Sequence, residues 1–174
     1  MLEFITDQEI YKRVLIEEVP GTENFIWLAT SDLKDLHIQH NRKFIPFLEV
    51  ISDLLSRDVS VRLIHAKEPG QVFREEFDRY PNLARSLERL LCPRVHFKSI
   101  IIDGRFAYSG SANLTGAGMG ARSEGKRNFE AGIISTESAI VGQIMQQFDN
   151  VWMGKYCSDC RFSGKCPDRD EMLN

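Results

Sequence analysis

The stretch HFKSIIIDGRFAYSGSAN, residues 96–113, decides the fold of this 174-residue chain. Asp103–Gly104 separates two apolar runs, and this dipeptide is typical of a tight turn between antiparallel strands. We therefore predict a strand over residues 94–102, a hairpin turn, and a returning strand over residues 106–109. The hairpin would bring both ends of the stretch to one edge of a sheet.

The two ends of this hairpin carry side chains that suit an anionic ligand. Because strand side chains alternate between faces, Arg94, His96 and Lys98 would point the same way. Ser111 and Asn113 follow the returning strand and could reach the same zone. A lysine and an amide can stabilise charge on phosphoryl oxygens, and a histidine can attack phosphorus or carry a proton. The pattern therefore indicates phosphoryl chemistry.

The same residues resemble the signature of the phospholipase D superfamily, H-x-K-x4-D followed by G-S-x-N. The signature positions are filled by His96, Lys98, Asp103, Gly110, Ser111 and Asn113. Such a match has a chance frequency of about one in 10^8 per starting position. The resemblance is densest over residues 94–134 and implies a phospholipase D-like fold and a phosphodiesterase whose catalysis needs no metal. The alternatives are a coincidental hairpin and a member that keeps the signature without activity.

The resemblance also implies a role for individual side chains. The family places a carboxylate shortly after the signature to orient the catalytic histidine, and Glu130 matches that position. Lys98 and Asn113 would hold the phosphoryl oxygens, with Ser111 assisting. Asp103 belongs to the signature, but its place at the turn predicts a structural role before a chemical one.

The chain holds one copy of the signature. Family members with two copies bring two histidines face to face, one to attack phosphorus and one to protonate the leaving oxygen. The small members form two-fold dimers, so the resemblance implies a homodimer in which His96 faces His96 of a second copy. One histidine would form a phosphohistidine, and the other would act first as acid and then as base for water.

Outside the signature, the pattern of the chain favours an α/β fold. Strands and helices alternate early and a hairpin comes late, which predicts a mixed β-sheet flanked by helices on both faces. Further strands are predicted over residues 24–30, 59–66 and 128–135. Helices are predicted over residues 7–18, 42–55, 73–80, 83–91 and 137–152.

Basic residues near the signature are candidates for substrate contacts. Residues 115–126 are rich in glycine and lack apolar periodicity, so we expect a mobile loop. Arg122, Lys126 and Arg127 lie in or beside this loop, and together with Arg94 they would bind a polyanionic substrate. The alternative is a solvated surface loop.

The cysteines cluster near the C-terminus. C-x2-C-x5-C followed by proline resembles the cluster-binding tail of some iron–sulfur nucleases that take a fourth cysteine from far upstream. The candidate ligands are Cys92, Cys157, Cys160 and Cys166. Thiolates suit a structural 4Fe–4S cluster or zinc, and the alternative is free thiols or a disulfide. We therefore expect a catalytic domain over residues 1–154 and a Cys-rich tail over residues 155–174.

Composition narrows the classes of function. No apolar run is long enough to span a bilayer, and the first residues do not resemble a secretory signal, so a cytoplasmic location is expected. The formal net charge of -3 argues mildly against a dedicated DNA-binding module. The predicted function is a nuclease acting on DNA or RNA. The alternatives are a phospholipase acting on phospholipid head groups and a non-catalytic nucleic-acid-binding module.

Overall fold

The computed structural model describes residues 1–40 and 43–168. Its strands are β1 (Leu2–Thr6), β2 (Phe25–Thr30), β3 (His37–His40), β4 (Lys43–Pro46), β5 (Ser60–His65), β6 (Glu88–Leu91), β7 (Lys98–Ile102), β8 (Phe106–Gly110) and β9 (Ala131–Ser135). Its α-helices are α1 (Gln8–Ile10), α2 (Phe47–Ser56), α3 (Gln71–Phe77), α4 (Pro81–Ser86) and α5 (Ser138–Trp152). A π-helix (Tyr11–Glu18) continues α1, and short 3-10 turns cover Val19–Gly21 and Glu124–Lys126.

Seven strands form one mixed sheet in the order β1-β9-β8-β7-β2-β5-β6. β2, β5 and β6 are mutually parallel, whereas the other neighbours are antiparallel. β3 and β4 pair antiparallel in a separate two-stranded sheet. The predicted mixed sheet is therefore confirmed, with the β7–β8 hairpin near its centre.

Helices cover both faces of this sheet, which explains why all five residues of β7 are buried. Ile100 and Ile102 pack with the π-helix and α2 on one face. Ile101 packs on the other face, against Val141 and Phe148 of α5. A central strand that is buried on both sides needs a continuous apolar run, and the sequence supplies it.

The helix predicted over residues 83–91 was wrong in its second half. α4 ends at Ser86, and the next residues form β6. β6 pairs in parallel with β5, with Arg62 opposite Glu88 and His65 opposite Leu91. A short apolar run fits a helix or a strand equally well, and pairing with a neighbouring strand decides between them.

Two other boundaries differ from the prediction. The helix predicted over residues 42–55 begins only at Phe47, because residues 43–46 form β4; Arg42 lies outside the described residues. The sequence reading also missed β1, an edge strand that pairs antiparallel with β9. In the described ranges, 1–40 and 43–168, no helix is long and apolar enough to cross a membrane.

Candidate active site

The ends of several strands meet at one edge of the sheet and gather the signature residues there. Lys98 begins β7 opposite Gly110, which ends β8, and Gly110 in turn lies opposite Gly132 near the start of β9. β2 ends at the same edge with Thr30. The hairpin predicted from the sequence therefore delivers both of its ends to this edge.

His96 and Lys98 are in contact at this edge. The Lys98 ammonium donates to the His96 carbonyl at 2.6 Å and lies 3.5 Å from His96 Nδ1. Lys98 is only 6% exposed, whereas the His96 side chain is exposed. Burial lowers the pKa of the Lys98 ammonium, and the nearby Glu130 carboxylate partly opposes this shift. The result is a poorly hydrated cation beside an accessible imidazole.

Arg94 does not share this arrangement. The strand predicted over residues 94–102 begins only at Lys98, because the chain turns at Pro93 and Arg94. The Arg94 guanidinium instead donates to the carbonyl of Tyr156 in the C-terminal tail, at 3.4 Å. The prediction from strand alternation, that the Arg94 side chain points the same way as those of His96 and Lys98, was therefore wrong.

Ser111 and Glu130 form a hydrogen-bonded pair beside this cluster. The Ser111 hydroxyl donates to Glu130 and accepts from the backbone N–H of Ala131 at 3.1 Å. The Asn128 amide donates to the other Glu130 oxygen at 3.0 Å. In the described part of the chain, Glu130 makes no hydrogen bond or ion pair with His96 of its own chain. The carboxylate is thus held in place by other partners.

Asn113 is fixed through its side-chain oxygen. That oxygen accepts from the Thr30 hydroxyl at 3.2 Å and from two backbone N–H groups, Ser31 at 3.1 Å and Asp32 at 3.2 Å. Asn113 also lines a surface cavity of about 270 Å³ together with Arg122 and other loop residues. Since the oxygen is used structurally, the amide nitrogen is the group left to donate to a ligand.

Asp103 lies at the opposite end of β7 and has the contacts of a structural residue. Its carboxylate accepts three backbone N–H bonds, from Glu23 at 3.0 Å and from Asn24 and Phe25 at 2.8 Å each. Burial alone would raise the pKa of Asp103, but these donors outweigh it and hold the pKa below its ordinary value. The structural role predicted for Asp103 agrees with this geometry.

The remaining basic candidates lie in the segment between β8 and β9, and Arg122 lines the same cavity as Asn113. Arg122 forms an ion pair with Asp35 at 3.1 Å. Lys126 ends a 3-10 turn and is exposed, and Arg127 follows it half-buried. Their contact with a substrate stays a prediction.

The cysteine-bearing tail folds back toward the end of β6. The Cys166 thiol contacts the Leu91 carbonyl, and the Asp168 carboxylate accepts from the Leu91 N–H at 2.6 Å. Cys92, Cys157, Cys160 and Cys166 are all half-buried. Over residues 1–40 and 43–168, however, no group of three or more cysteine, histidine or acidic side chains is arranged to hold a metal ion. The predicted iron–sulfur or zinc centre therefore has no support in this part of the chain.

Two residues that the sequence reading missed support the site. Asp7 accepts the backbone N–H of Glu130 at 2.9 Å and donates its own N–H to the Glu130 carbonyl at 2.9 Å. Asp7 has a φ of 48° and a ψ of -116°, a backbone conformation that residues with a side chain rarely adopt. Asn128 braces the Glu130 side chain. Neither residue belongs to the signature, so only the folded chain identifies them.

Comparisons with known proteins identify the family and the fold of the chain. A family model described as "Cardiolipin synthase, PLD-like domain" matches residues 15–152. The chain belongs to this phospholipase D-like family. A search of curated proteins gave no match for this chain.

Solved structures share the phospholipase D-like fold. NucT from Helicobacter pylori matches with a TM-score of 0.61 and 15% identity, over 86% of this chain and 95% of that one. Nuc, a phospholipase D family member from Salmonella typhimurium, matches with a TM-score of 0.62 and 15% identity, over 87% and 93%. TrmBL2, an archaeal chromatin protein, matches with a TM-score of 0.57 and 15% identity, over 87% and 51%. At this identity the likeness concerns the fold.

Proposed function

We propose that this protein is a metal-independent phosphodiesterase, acting as a nuclease on DNA or RNA. The observation that carries the proposal is the contact between the buried Lys98 ammonium and the accessible His96 imidazole at the edge of a phospholipase D-like sheet. Membership in the family and the structural likeness to Nuc and NucT support the same reaction class.

The proposed reaction has two steps. A ring nitrogen of one His96 attacks phosphorus, the bond from phosphorus to the leaving oxygen breaks, and His96 of the second copy gives its proton to that oxygen. Water then loses a proton to the second His96 as it attacks the phosphohistidine, the P–N bond breaks, and both histidines are regenerated. Lys98 and the Asn113 amide nitrogen stabilise the negative charge on the non-bridging oxygens. These fixed donors need little reorganisation during the reaction, so they favour the transition state.

The proposed active site is shared by two copies of the chain. One chain supplies a single signature histidine, whereas the reaction needs both a nucleophile and an acid. Glu130 makes no bond to His96 within the described residues of one chain, although the family uses this carboxylate to orient the histidine. In a two-fold dimer, Glu130 of one copy would orient His96 of the other, and the Ser111 hydroxyl would hold that carboxylate in place.

Phospholipid head-group hydrolysis is the second candidate. Phe129, next to Glu130, is 97% exposed, and an apolar side chain beside the site would suit a lipid surface. The family model is also described by the name of a lipid enzyme. A third candidate, nucleic-acid binding without catalysis, is raised by TrmBL2, whose printed title describes a mode of DNA binding.

One assay separates the three candidates. Purified protein is incubated in EDTA with labelled single-stranded DNA, double-stranded DNA and RNA, and in parallel with phospholipid vesicles. Cleavage of a nucleic acid by the wild type and not by His96→Ala is the expected result. Release of lipid head groups alone would favour the phospholipase, and binding without cleavage would favour the binding module. Equal cleavage by both proteins would refute the role of His96.

A further inference from the structure

A cavity of about 430 Å³ lies between α5 and the C-terminal tail, next to the proposed active site. Val95 and Phe97, the residues on either side of His96 in the chain, both line it. Arg94 lines it as well and also borders a second opening of about 330 Å³ that reaches Arg161. We call these two openings, which share Arg94, the tail cleft. Its lining also includes the thiol-bearing residues Cys92, Cys157 and Cys160.

The charge of the tail cleft is opposite to that of the whole chain. Arg94 and Arg161 line it and Lys155 lies beside it, with Asp159 as the acidic residue that lines it. The formal net charge of the chain is -3, so this concentration of positive charge is local. A local basic surface beside a phosphodiesterase site favours an anionic ligand.

Aromatic and amide side chains accompany this charge. The Tyr156 side chain lines the cavity and is 50% exposed, with the Lys155 ammonium 5.8 Å from its ring centre. The wall formed by α5 contributes Gln143, Gln146, Gln147 and Asn150. Amide side chains both donate and accept, so they can bond base edges without selecting one base. An aromatic ring with nearby cations is the usual platform for unpaired bases.

We infer that the tail cleft is a subsite for nucleotides that lie beyond the two flanking the cleaved bond in a single-stranded nucleic acid. Arg94 and Arg161 contact the backbone phosphate, Tyr156 stacks on a base, and the α5 amides bond its edge. This inference rests on the nuclease function proposed above. A single strand fits better than a duplex, because a base must leave its stack to lie on Tyr156.

Binding to the catalytically blocked His96→Ala protein tests the subsite without depending on activity. Fluorescence anisotropy in EDTA measures the Kd of a dinucleotide and of a labelled oligonucleotide of about twelve nucleotides, a length within the usual site sizes. Tyr156→Ala should raise the Kd of the long probe about 5- to 10-fold, the lower part of the range for one lost stacking contact. Tyr156→Phe keeps the ring and should bind like the parent. The Kd of the dinucleotide should not change.

Arg161→Gln should weaken binding of the long probe and reduce its salt dependence, because one phosphate contact is lost. Arg57→Gln is the matched control, since Arg57 is exposed and precedes β5, whose other end meets the catalytic edge. Thermal melting of each variant verifies that it is folded.

An unchanged Kd for the long probe in both Tyr156→Ala and Arg161→Gln would overturn the inference. Binding of the same variants to anionic phospholipid vesicles is measured in parallel. If Tyr156→Ala and Arg161→Gln lose vesicle binding and keep oligonucleotide binding, the inference is also overturned. If binding depends on Tyr156 and Arg161 but the wild type cleaves no nucleic acid, the subsite stands and the nuclease function falls. Failure of the tail-cleft subsite can therefore be distinguished from failure of the nuclease function.

Discussion

Replacing Asp103 tests whether a signature residue acts through structure alone. Its carboxylate is 7% exposed and holds three backbone N–H groups at the start of β2, against the turn that ends β7. Charge-assisted bonds of this kind contribute about 1.5–3 kcal/mol each when buried, and less at a surface. Because two of the three bonds lie at the surface, we expect Asp103→Gly to cost about 3–5 kcal/mol in total.

Glycine is the replacement that removes the Asp103 side chain without adding backbone strain. Its φ is 52°, in the left-handed region, so Asp103→Ala should cost about a further 1 kcal/mol from strain. Asp103→Asn keeps one oxygen, at the position that binds Asn24 and Phe25, and loses the charge and the bond from Glu23. The expected cost of Asp103→Asn is about 1–2 kcal/mol.

Differential scanning calorimetry measures these losses. For a chain of this size a change of 1 kcal/mol shifts the Tm by about 2–4 °C, so we expect a fall of about 2–8 °C for Asp103→Asn and about 6–20 °C for Asp103→Gly. Because the folded pKa of Asp103 is depressed, its stabilisation is present above the ordinary pKa and lost as the pH falls through the folded value. The gap in Tm between wild type and Asp103→Asn should therefore narrow below about pH 4.

Activity provides the refuting result. Asp103→Asn, assayed well below its Tm, should cleave substrate at close to the wild-type rate, since Asp103 and His96 lie toward opposite ends of β7. An Asp103→Asn protein with wild-type Tm and no activity would contradict this reasoning and assign Asp103 to the chemistry.

Three further predictions follow from local contacts. A Cβ on Gly132 would lie 2.5 Å from Tyr108 Cε2, so Gly132→Ala should lower the free energy of unfolding by about 1–3 kcal/mol. Gly142 lies on α5, and a Cβ there would have no atom within 4 Å, so Gly142→Ala should melt at or above the wild-type Tm. Lys98→Met should lower kcat about 10²–10³-fold, because the ammonium stabilises the transition state. The Tm should not fall, because burial of the ammonium is unfavourable. A large fall in Tm would instead indicate that Lys98 is a structural residue. Burial lowers the pKa of His65, so near this pKa the unfolded chain binds a proton that the folded chain does not. The free energy of unfolding should therefore fall as the pH falls below about 6.5. Urea titrations should show a smaller fall for His65→Gln.

The signature hairpin could be predicted from the sequence because its information is local. The apolar run before Asp103 and the turn dipeptide specify two paired strands, and the structure confirms the pairing from Lys98–Gly110 to Ile102–Phe106. The contact between His96 and Lys98 was also expected, but for the wrong reason. His96 precedes the strand, and the Lys98 side chain folds back onto the His96 carbonyl.

What the sequence could not supply depends on partners distant in the chain. β6 is a strand only because β5 lies beside it, and β1 is fixed by β9 more than a hundred residues away. Arg94 turns toward Tyr156 in the tail, a contact that no local pattern predicts. The short cysteine spacing indicated a metal clasp, but spacing alone does not specify how the thiols are arranged in space.

We propose that two copies of His96 form one active site. Wild type and His96→Ala are unfolded together, refolded at varied ratios, and assayed with oligonucleotide in EDTA at constant total protein. If each site needs a histidine from both chains, activity follows the square of the wild-type fraction, so an equal mixture keeps about 25% of full activity. A linear dependence, with about half the activity at an equal ratio, would show that one chain suffices and would contradict the shared site.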